Sequence, residues 1–425
     1  MFCALAGATI GQPQAACWCA EWPHGPAPEQ SAGCLCPVCL AQELGARLNL
    51  LGKSAAELRA LMAAFGEPAY RGTQLYKSIY ANRRFDFADM SDLPPTLRTR
   101  LAAAARIALP EVLRRYVSAD GSVRYLLALE GAHAGRAAVA PARVETVFMP
   151  SEGRQTICIS TQAGCAVDCK FCLTAQLGLI RNLTAGEIVG QVLLALEDHR
   201  ERLAPRTNVV LMGQGEPLLN FDAVMAAVRI LLDPNGMALA PRHVTLSSSG
   251  IVPGIERLAR EKVRPKLAIS LNASSDEQRD AIMPINRKYP LKPLLEACRE
   301  YQRGNREWIT FEYVLLGGFN DTPEDARRVA RLLANLRAKV NLIPWNPGAP
   351  VRGATRECEL PFRAPDASSI EEFRRILVDK GQLAFVRYSR GQDIAAACGQ
   401  LALIESPSPA FVAPSIAPAI SPPPA

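Results

Sequence analysis

From Ser54 the apolar side chains recur at helical spacing: Leu58, Leu61, Met62 and Phe65 share one face. Ser54 stands where an N-cap belongs. Residues 70–80 and 95–105 read as two further helices. Together these form a helical unit of about fifty to sixty residues, an accessory-domain size. Between 112 and 149 the pattern shortens to alternating runs, with Ala119-Asp120-Gly121-Ser122 turning a hairpin between Tyr116 and Tyr125. A rhythm then sets in. Near-continuous apolar runs at 156–161, 208–213, 243–248, 266–271, 309–316 and 339–344 read as strands. Helical stretches at 185–200, 221–232, 254–261, 291–302 and 323–336 separate them, and a last one covers 368–380.

Apolar strands alternating with helices imply a parallel sheet covered by helices. Six such units fall short of a closed eight-fold barrel, so the expected fold is α/β, an open partial (βα)6 barrel with a small helical domain before it. The expected organisation is a cysteine-rich disordered extension (1–48), a helical accessory domain (49–110), a linker with short strands (111–150), a catalytic core (151–403) and a disordered Pro/Ala/Ser-rich tail (404–425).

Composition narrows the class. Of 425 residues 49% are hydrophobic, which is globular. No uninterrupted apolar run is long enough to span a membrane. The formal charge of +7 permits a polyanionic partner without demanding one. Tyr70, Arg71, Lys77, Tyr80, Arg83 and Arg84 interleave aromatic and basic groups, a mix that can stack on bases and contact phosphates but is also common on any solvated helix. Thirteen cysteines without a good secretory signal point to a reducing cytoplasm, where clustered thiols mean metal or catalysis. The first basic residue is Arg47. The stretch before it reads as a disordered extension or as sequence preceding the true translation start. A zinc knuckle through Cys34, Cys36 and Cys39 is the alternative.

Small, polar and glycine residues recur just past all six strand ends, where β/α barrels place their sites. The first end carries Gly164-Cys165-Ala166-Val167-Asp168-Cys169-Lys170-Phe171-Cys172. Thiolates at gaps of four and three can hold three corners of a [4Fe–4S] cube. No further cysteine comes before Cys298, so one iron stays open to a ligand. The same spacing is one face of a helix, and cysteine packs as a small hydrophobe. Gly164 before the triplet, and Asp168 and Lys170 within it, favour a loop. Zinc would ask for a fourth ligand.

An open iron beside polar loops suits a ligand with an amine, a carboxylate and a sulfonium. Gly215 lets the backbone approach it, and Glu216 can accept from its ammonium. Ser247 and Asn272 can bond a carboxylate or ribose, with Ser270 at the same strand end as Asn272. Asn346 can present an amide to an adenine edge. Ordinary turn or strand-end capping is the alternative for each.

The three-cysteine string resembles the radical S-adenosylmethionine superfamily. Met212-Gly213-Gln214-Gly215-Glu216-Pro217, Pro344-Trp345-Asn346-Pro347 and Ala397-Cys398-Gly399-Gln400-Leu401 narrow the resemblance to the dual-specificity RNA methyltransferases of the RlmN type. It runs from about Asn49 to Leu403. It implies a radical-SAM barrel that binds a [4Fe–4S] cluster through Cys165, Cys169 and Cys172 and uses two S-adenosylmethionine molecules per turnover. It implies methylation of carbon 2 of adenine in 23S rRNA and in tRNA next to the anticodon, by a monomeric cytoplasmic enzyme fed by an electron donor such as flavodoxin. In that route Cys398 takes a methyl group by displacement. A 5′-deoxyadenosyl radical removes hydrogen from it, and the resulting carbon radical adds to adenine. Glu145 then accepts the carbon-2 proton, and Cys158 frees the tethered product by forming a transient disulfide with Cys398. A buried strand thiol is the ordinary alternative for Cys158, and a helix-buried thiol for Cys398. Many relatives carry His where this chain has Asn272, and Cys298 and Cys358 match no role. The competing readings are a sister enzyme that methylates carbon 8, linked to antibiotic resistance, and a non-catalytic iron–sulfur RNA-binding protein.

Overall fold

The structure is a computed structural model that describes residues 47–129, 142–304, 307–347 and 362–403. The cysteine-rich stretch through Cys39, the proline-rich tail and Cys358 lie outside the described residues.

Ten strands make one sheet: β1 (Glu111–Val117), β2 (Val123–Leu129), β3 (Ala142–Ser151), β4 (Arg154–Cys158), β5 (Arg206–Leu211), β6 (Val244–Ser248), β7 (Lys266–Ser270), β8 (Ile309–Leu315), β9 (Ala338–Pro344) and β10 (Leu383–Val386). Each strand pairs with the next in the chain, so spatial order follows sequence order. From β4 to β10 all pairs are parallel, and β1 to β4 are antiparallel. β1 and β10 are the free edges, so among the described residues the barrel is open.

The six parallel units are found within one to three residues of their expected strand bounds, and three differences stand out. The stretch 111–150, expected as a linker, supplies β1–β3 of the main sheet. Its middle strand reads as apolar because it is buried almost throughout, with Tyr125 Oη donating to Asp198 of a covering helix at 2.7 Å. β10 escaped notice because four residues at an edge carry little pattern, and two of them, Leu383 and Phe385, point outward. A short helix at Asp276–Ile282 was also missed; Ser275 caps it by accepting from the Gln278 amide.

Among the described residues ten α-helices complete the fold, α1 (Ala55–Ala64), α2 (Tyr70–Tyr80), α3 (Pro95–Ala104), α4 (Ala185–Asp198), α5 (Phe221–Leu232), α6 (Val252–Ala259), α7 (Asp276–Ile282), α8 (Leu291–Gln302), α9 (Pro323–Leu333) and α10 (Ala367–Asp379). Ser54 caps α1 in a reciprocal capping box with Glu57, as its sequence implied. Alternate strand residues such as Val244, Leu246, Phe311, Tyr313 and Val340 join the helices in one core. The other set, including Thr245, Ser247, Thr310 and Glu312, is only partly buried and faces the barrel interior.

The first three helices dock on α4 through glycine. A Cβ on Gly52 would lie 2.2 Å from the Gly186 backbone nitrogen, so the two chains meet only because neither residue has a side chain. Arg83 adds a bond to the Leu196 carbonyl of α4 at 3.2 Å. Tyr80, expected as a stacking surface, is buried, its hydroxyl donating to the Lys53 carbonyl and accepting from the Gly52 amide. Tyr70 stays exposed, with Arg71 over its ring.

Candidate active site

The cysteine loop begins where a short hairpin (Gln162–Gly164 with Leu179–Asn182) leaves the end of β4. Gly164 has φ +73°, and a Cβ there would strike the Gly178 carbonyl. The loop is not a helix: Asp168 sits in the left-handed region at φ 62° and binds Lys170 at 2.7 Å. Three ties fix it from outside. The Lys170 amide donates to the Ile282 carbonyl of α7, Trp345 Nε1 to the Phe171 carbonyl, and the Leu173 amide to the Gly399 carbonyl.

Cys158, Cys165, Cys169 and Cys172 are half-buried, and Cys398 is exposed. All five nevertheless sit deep enough in protein that burial raises their thiol pKa values, to about 12 for Cys158 and Cys165 and about 11 for Cys398. The thiols also act on one another by charge: Cys169 feels Cys172 and Cys165, Cys398 feels Cys172, and Cys158 feels Cys398. Geometry agrees: Cys158 ends the strand that leads into the cysteine loop, and the segment around Cys398 is bonded to that loop from Leu173 to Gly399 and from Thr174 to Leu401. Cys298 is buried elsewhere in the core.

Among the described residues no three His, Cys, Asp or Glu side chains converge as a single-ion site. Three neighbouring thiols with no nearby carboxylate or imidazole in their loop except Asp168, which is paired to Lys170, suit a thiolate-bound iron–sulfur cluster. Iron would reverse the burial effect, because coordination deprotonates the thiols.

Glu145 lies two residues along β3 from Val147, the cross-strand partner of Cys158, so the two share a face of the sheet. Its carboxylate is fully buried against the equally buried Arg124 and accepts from the Leu403 amide at 3.0 Å. Burial lifts its pKa, while Arg124 and the amides of Leu403 and Ala402 pull it back. Arg124 itself lies over the Tyr116 ring at 4.1 Å.

The other predicted residues occupy strand ends, but several of their side chains serve the scaffold. Glu216 accepts from Leu218 at 3.0 Å and from both the amide and hydroxyl of Ser249. Asn272, at φ 57°, accepts from the Val314 amide and donates to Met283 Sδ. Asn346 accepts from Gln392 and donates to Ser389 and to the Cys398 carbonyl, so its amide holds the Cys398 loop. Ser247 and Ser270 remain half-buried at their strand ends. Gly215 has φ +98°, and a Cβ would lie 2.7 Å from the Gln162 amide nitrogen. Two residues of this region were not foreseen. Arg124 gave no local signal, since its partner lies on another strand. Glu312 did, as the lone charge in the apolar run of β8; burial pushes its carboxyl up to about 7, and its charge acts on Cys398.

An open parallel barrel with this thiol loop at the end of its first parallel strand is the architecture of a radical S-adenosylmethionine enzyme, and the radical SAM superfamily profile matches residues 159–333. The profile described as the ribosomal RNA large subunit methyltransferase N-terminal domain matches residues 48–107. A probable dual-specificity RNA methyltransferase RlmN from Koribacter versatilis is 47% identical over 80% of this chain and 97% of its own length. The Geobacter sulfurreducens dual-specificity RNA methyltransferase RlmN is 45% identical over 83% of this chain and 92% of its own. The crystal structure of a radical SAM methyltransferase from Sphaerobacter thermophilus superposes with a TM-score of 0.75 at 42% identity, covering 83% of this chain and 99% of that one. The chain belongs to the RlmN family of dual-specificity RNA methyltransferases. It is a radical-SAM RNA methyltransferase whose cofactors are a [4Fe–4S] cluster and S-adenosylmethionine. No described helix is long and apolar enough to cross a membrane.

Proposed function

We propose that this enzyme methylates carbon 2 of adenine in 23S rRNA and in tRNA beside the anticodon, with Cys398 as methyl carrier, Cys158 as resolving thiol and Glu145 as base. The observation that carries the reading is two thiols outside the triplet beside its loop: Cys158 at the end of the strand before it, and Cys398 in a segment bonded to it through Gly399 and Leu401. A radical enzyme that only abstracts hydrogen needs neither.

Cys398 attacks the methyl carbon of a sulfonium: its sulfur–carbon bond forms, the donor's breaks, and the thiol proton leaves. Cys165, Cys169 and Cys172 would hold a [4Fe–4S] cluster, which with S-adenosylmethionine would supply the one-electron chemistry that removes a hydrogen atom from the methyl group on Cys398. Once the carrier carbon is joined to the base and the adduct's unpaired electron has passed to the oxidised cluster, Glu145 takes the ring proton; a carboxylate whose pKa burial has raised is a stronger base than an exposed one. Cys158 then attacks the Cys398 sulfur. A sulfur–sulfur bond forms, the sulfur–carbon bond to RNA breaks, and the electron pair passes to the base, where a proton completes the methyl group. Gly215, Glu216, Ser247, Ser270, Asn272 and Asn346 would hold S-adenosylmethionine, several of them by keeping the strand ends in place. The working protein is a cytoplasmic monomer supplied with electrons by a flavodoxin-type donor.

The test is turnover on rRNA and tRNA followed by nucleoside mass spectrometry. 2-Methyladenine supports the reading; 8-methyladenine or unmodified RNA refutes it. Cys398→Ala abolishes methylation with S-adenosylmethionine binding intact, and Cys158→Ala accumulates a protein–RNA crosslink. Retained turnover in the first, or no crosslink in the second, overturns the assigned roles.

A further inference from the structure

The opposite end of the barrel carries a feature the methylation chemistry leaves unused. β4, β5 and β7 each start on a cation, Arg154, Arg206 and Lys266, and Arg242 immediately precedes His243 and β6. Arg154 and Arg206 are cross-strand partners, and Lys266 stands opposite Thr245 on β6. Parallel pairing puts all four starts on one rim. With Asn208 and His243 they line a cavity of about 330 Å³ that holds no carboxylate. The four cations are not among the described residues' ion pairs. Like charges gathered this way repel one another and lower stability, so the arrangement is unfavourable without an anion.

The surroundings show that the repulsion is felt. Burial lowers the His243 pKa, and Arg242, Lys266 and Arg206 lower it further. Burial also lowers the Lys266 pKa, with Lys339 and Arg242 adding to the effect. Glu307 opposes this only weakly and is itself held by Arg264 and Tyr301. Lys339 continues the basic strip, 5.6 Å from the ring of Trp308, an aromatic side chain that is 43% exposed. Cations in a recess, followed by an exposed aromatic ring, match the pairing of phosphate contacts with a base-stacking platform that single-stranded or looped RNA uses.

We propose that the rim formed by Arg154, Arg206, Arg242 and Lys266, continued by Lys339 and Trp308, is a second RNA-binding site that holds backbone phosphates of the substrate away from the reacting nucleotide. The inference rests on the RNA methyltransferase reading. One strand length, roughly 15 Å, separates this rim from the thiols, so it touches neither the carrier cysteine nor the cluster loop. It adds affinity without taking part in the chemistry, and it reads no sequence, because phosphate contacts carry none.

The test uses the full-length holoenzyme and a tRNA transcript. Arg206→Ala/Lys266→Ala is compared with the charge-conserving Arg206→Lys/Lys266→Arg, which guards against misfolding. The alanine pair lowers the slope of log affinity against log salt by about 1–2, and weakens binding by about tenfold per unit of slope at 0.1 M salt. The conservative pair binds like wild type. Trp308→Ala weakens binding with the slope unchanged. S-Adenosylmethionine binding and the single-turnover rate at saturating RNA stay at the wild-type level. The His243 ring resonances provide a direct readout, since the chain has 4 histidines: RNA raises the His243 pKa as phosphate neutralises its neighbours. An unchanged slope in the alanine pair overturns the proposal, as does a His243 response to inorganic phosphate but none to RNA. Wild-type methylation of the same transcript reports separately on the parent reading.

Discussion

Replacing Arg124 by methionine is expected to damage this enzyme twice, once in stability and once at Glu145, the proposed base. Arg124 and Glu145 are each fully buried, and they form an ion pair inside the sheet. Removing the cation strands a carboxylate in a site of low polarity, which costs about 3–5 kcal/mol. The Leu403 amide still donates to Glu145 at 3.0 Å, but it cannot neutralise a charge. The loss must depend on pH. Burial raises the folded pKa of Glu145 above its ordinary 4.5, and the Arg124 charge lowers it. A carboxyl with a raised folded pKa stabilises the fold at low pH and loses that contribution as pH climbs from the unfolded to the folded value. Without Arg124 the folded pKa rises further. The penalty in Arg124→Met is therefore small near pH ~5 and grows toward pH ~8. Urea unfolding of the anaerobic holoenzyme at both pH values measures it. Arg124→Met/Glu145→Gln removes the stranded charge and recovers most of the stability, while methylation stays abolished. A penalty independent of pH, or a double variant no more stable than the single, would refute the reasoning.

Gly215→Ala forces a side chain into φ +98° and against Gln162, whose Oε1 accepts from the Glu216 amide at 2.8 Å. It is expected to cost about 1–3 kcal/mol in thermal unfolding and to weaken S-adenosylmethionine binding; unchanged melting and affinity would count against a tight turn there. Glu312→Gln removes a carboxyl whose pKa rises from 4.5 to about 7, so the stability lost between those pH values in wild type disappears from the variant. The same change removes a negative charge that helps lift Cys398 to about 11, so alkylation of Cys398 by iodoacetamide, followed by mass spectrometry, becomes faster at a given pH. An unaltered alkylation profile would mean the two groups do not communicate.

Much of this was legible because the signals were local. Strand and helix periods located the six parallel units, and Ser54 announced the start of α1. The cysteine triplet and the residues just past the strand ends pointed to the same barrel end. What escaped depended on contacts between distant segments. β1–β3 looked like a linker because short strands acquire a shape only when paired, and here they pair into the main sheet. Tyr80 looked like a stacking residue because burial is invisible in a helix pattern when the covering element, the Gly52 turn, comes from outside it. Arg124 could not be matched to Glu145 without the register of β2 against β3, in which Leu126, not Arg124, stands opposite Glu145.

The C-terminal segment ties these pieces into one device. Asp393 accepts from Ser118 and from the Ala119 amide, and the Gly391 amide donates to Asp120, so the β1–β2 turn holds the start of the loop. Asn346 and Pro347 hold its middle, through the Cys398 carbonyl and Gln400. Beyond Cys398 the Gly399 and Leu401 carbonyls accept from Leu173 and Thr174 of the cluster loop, and the Leu403 amide caps Glu145. One short stretch thus touches the cysteine loop and Glu145 on either side of Cys398. In this arrangement Glu145 has no face open to a nucleobase, because Arg124 and Leu403 occupy it. Proton removal in the proposed route therefore requires the Leu403 end to withdraw. The Gly399 and Leu401 bonds to the cysteine loop lie between that end and Cys398, so the same displacement that uncovers Glu145 also loosens Cys398.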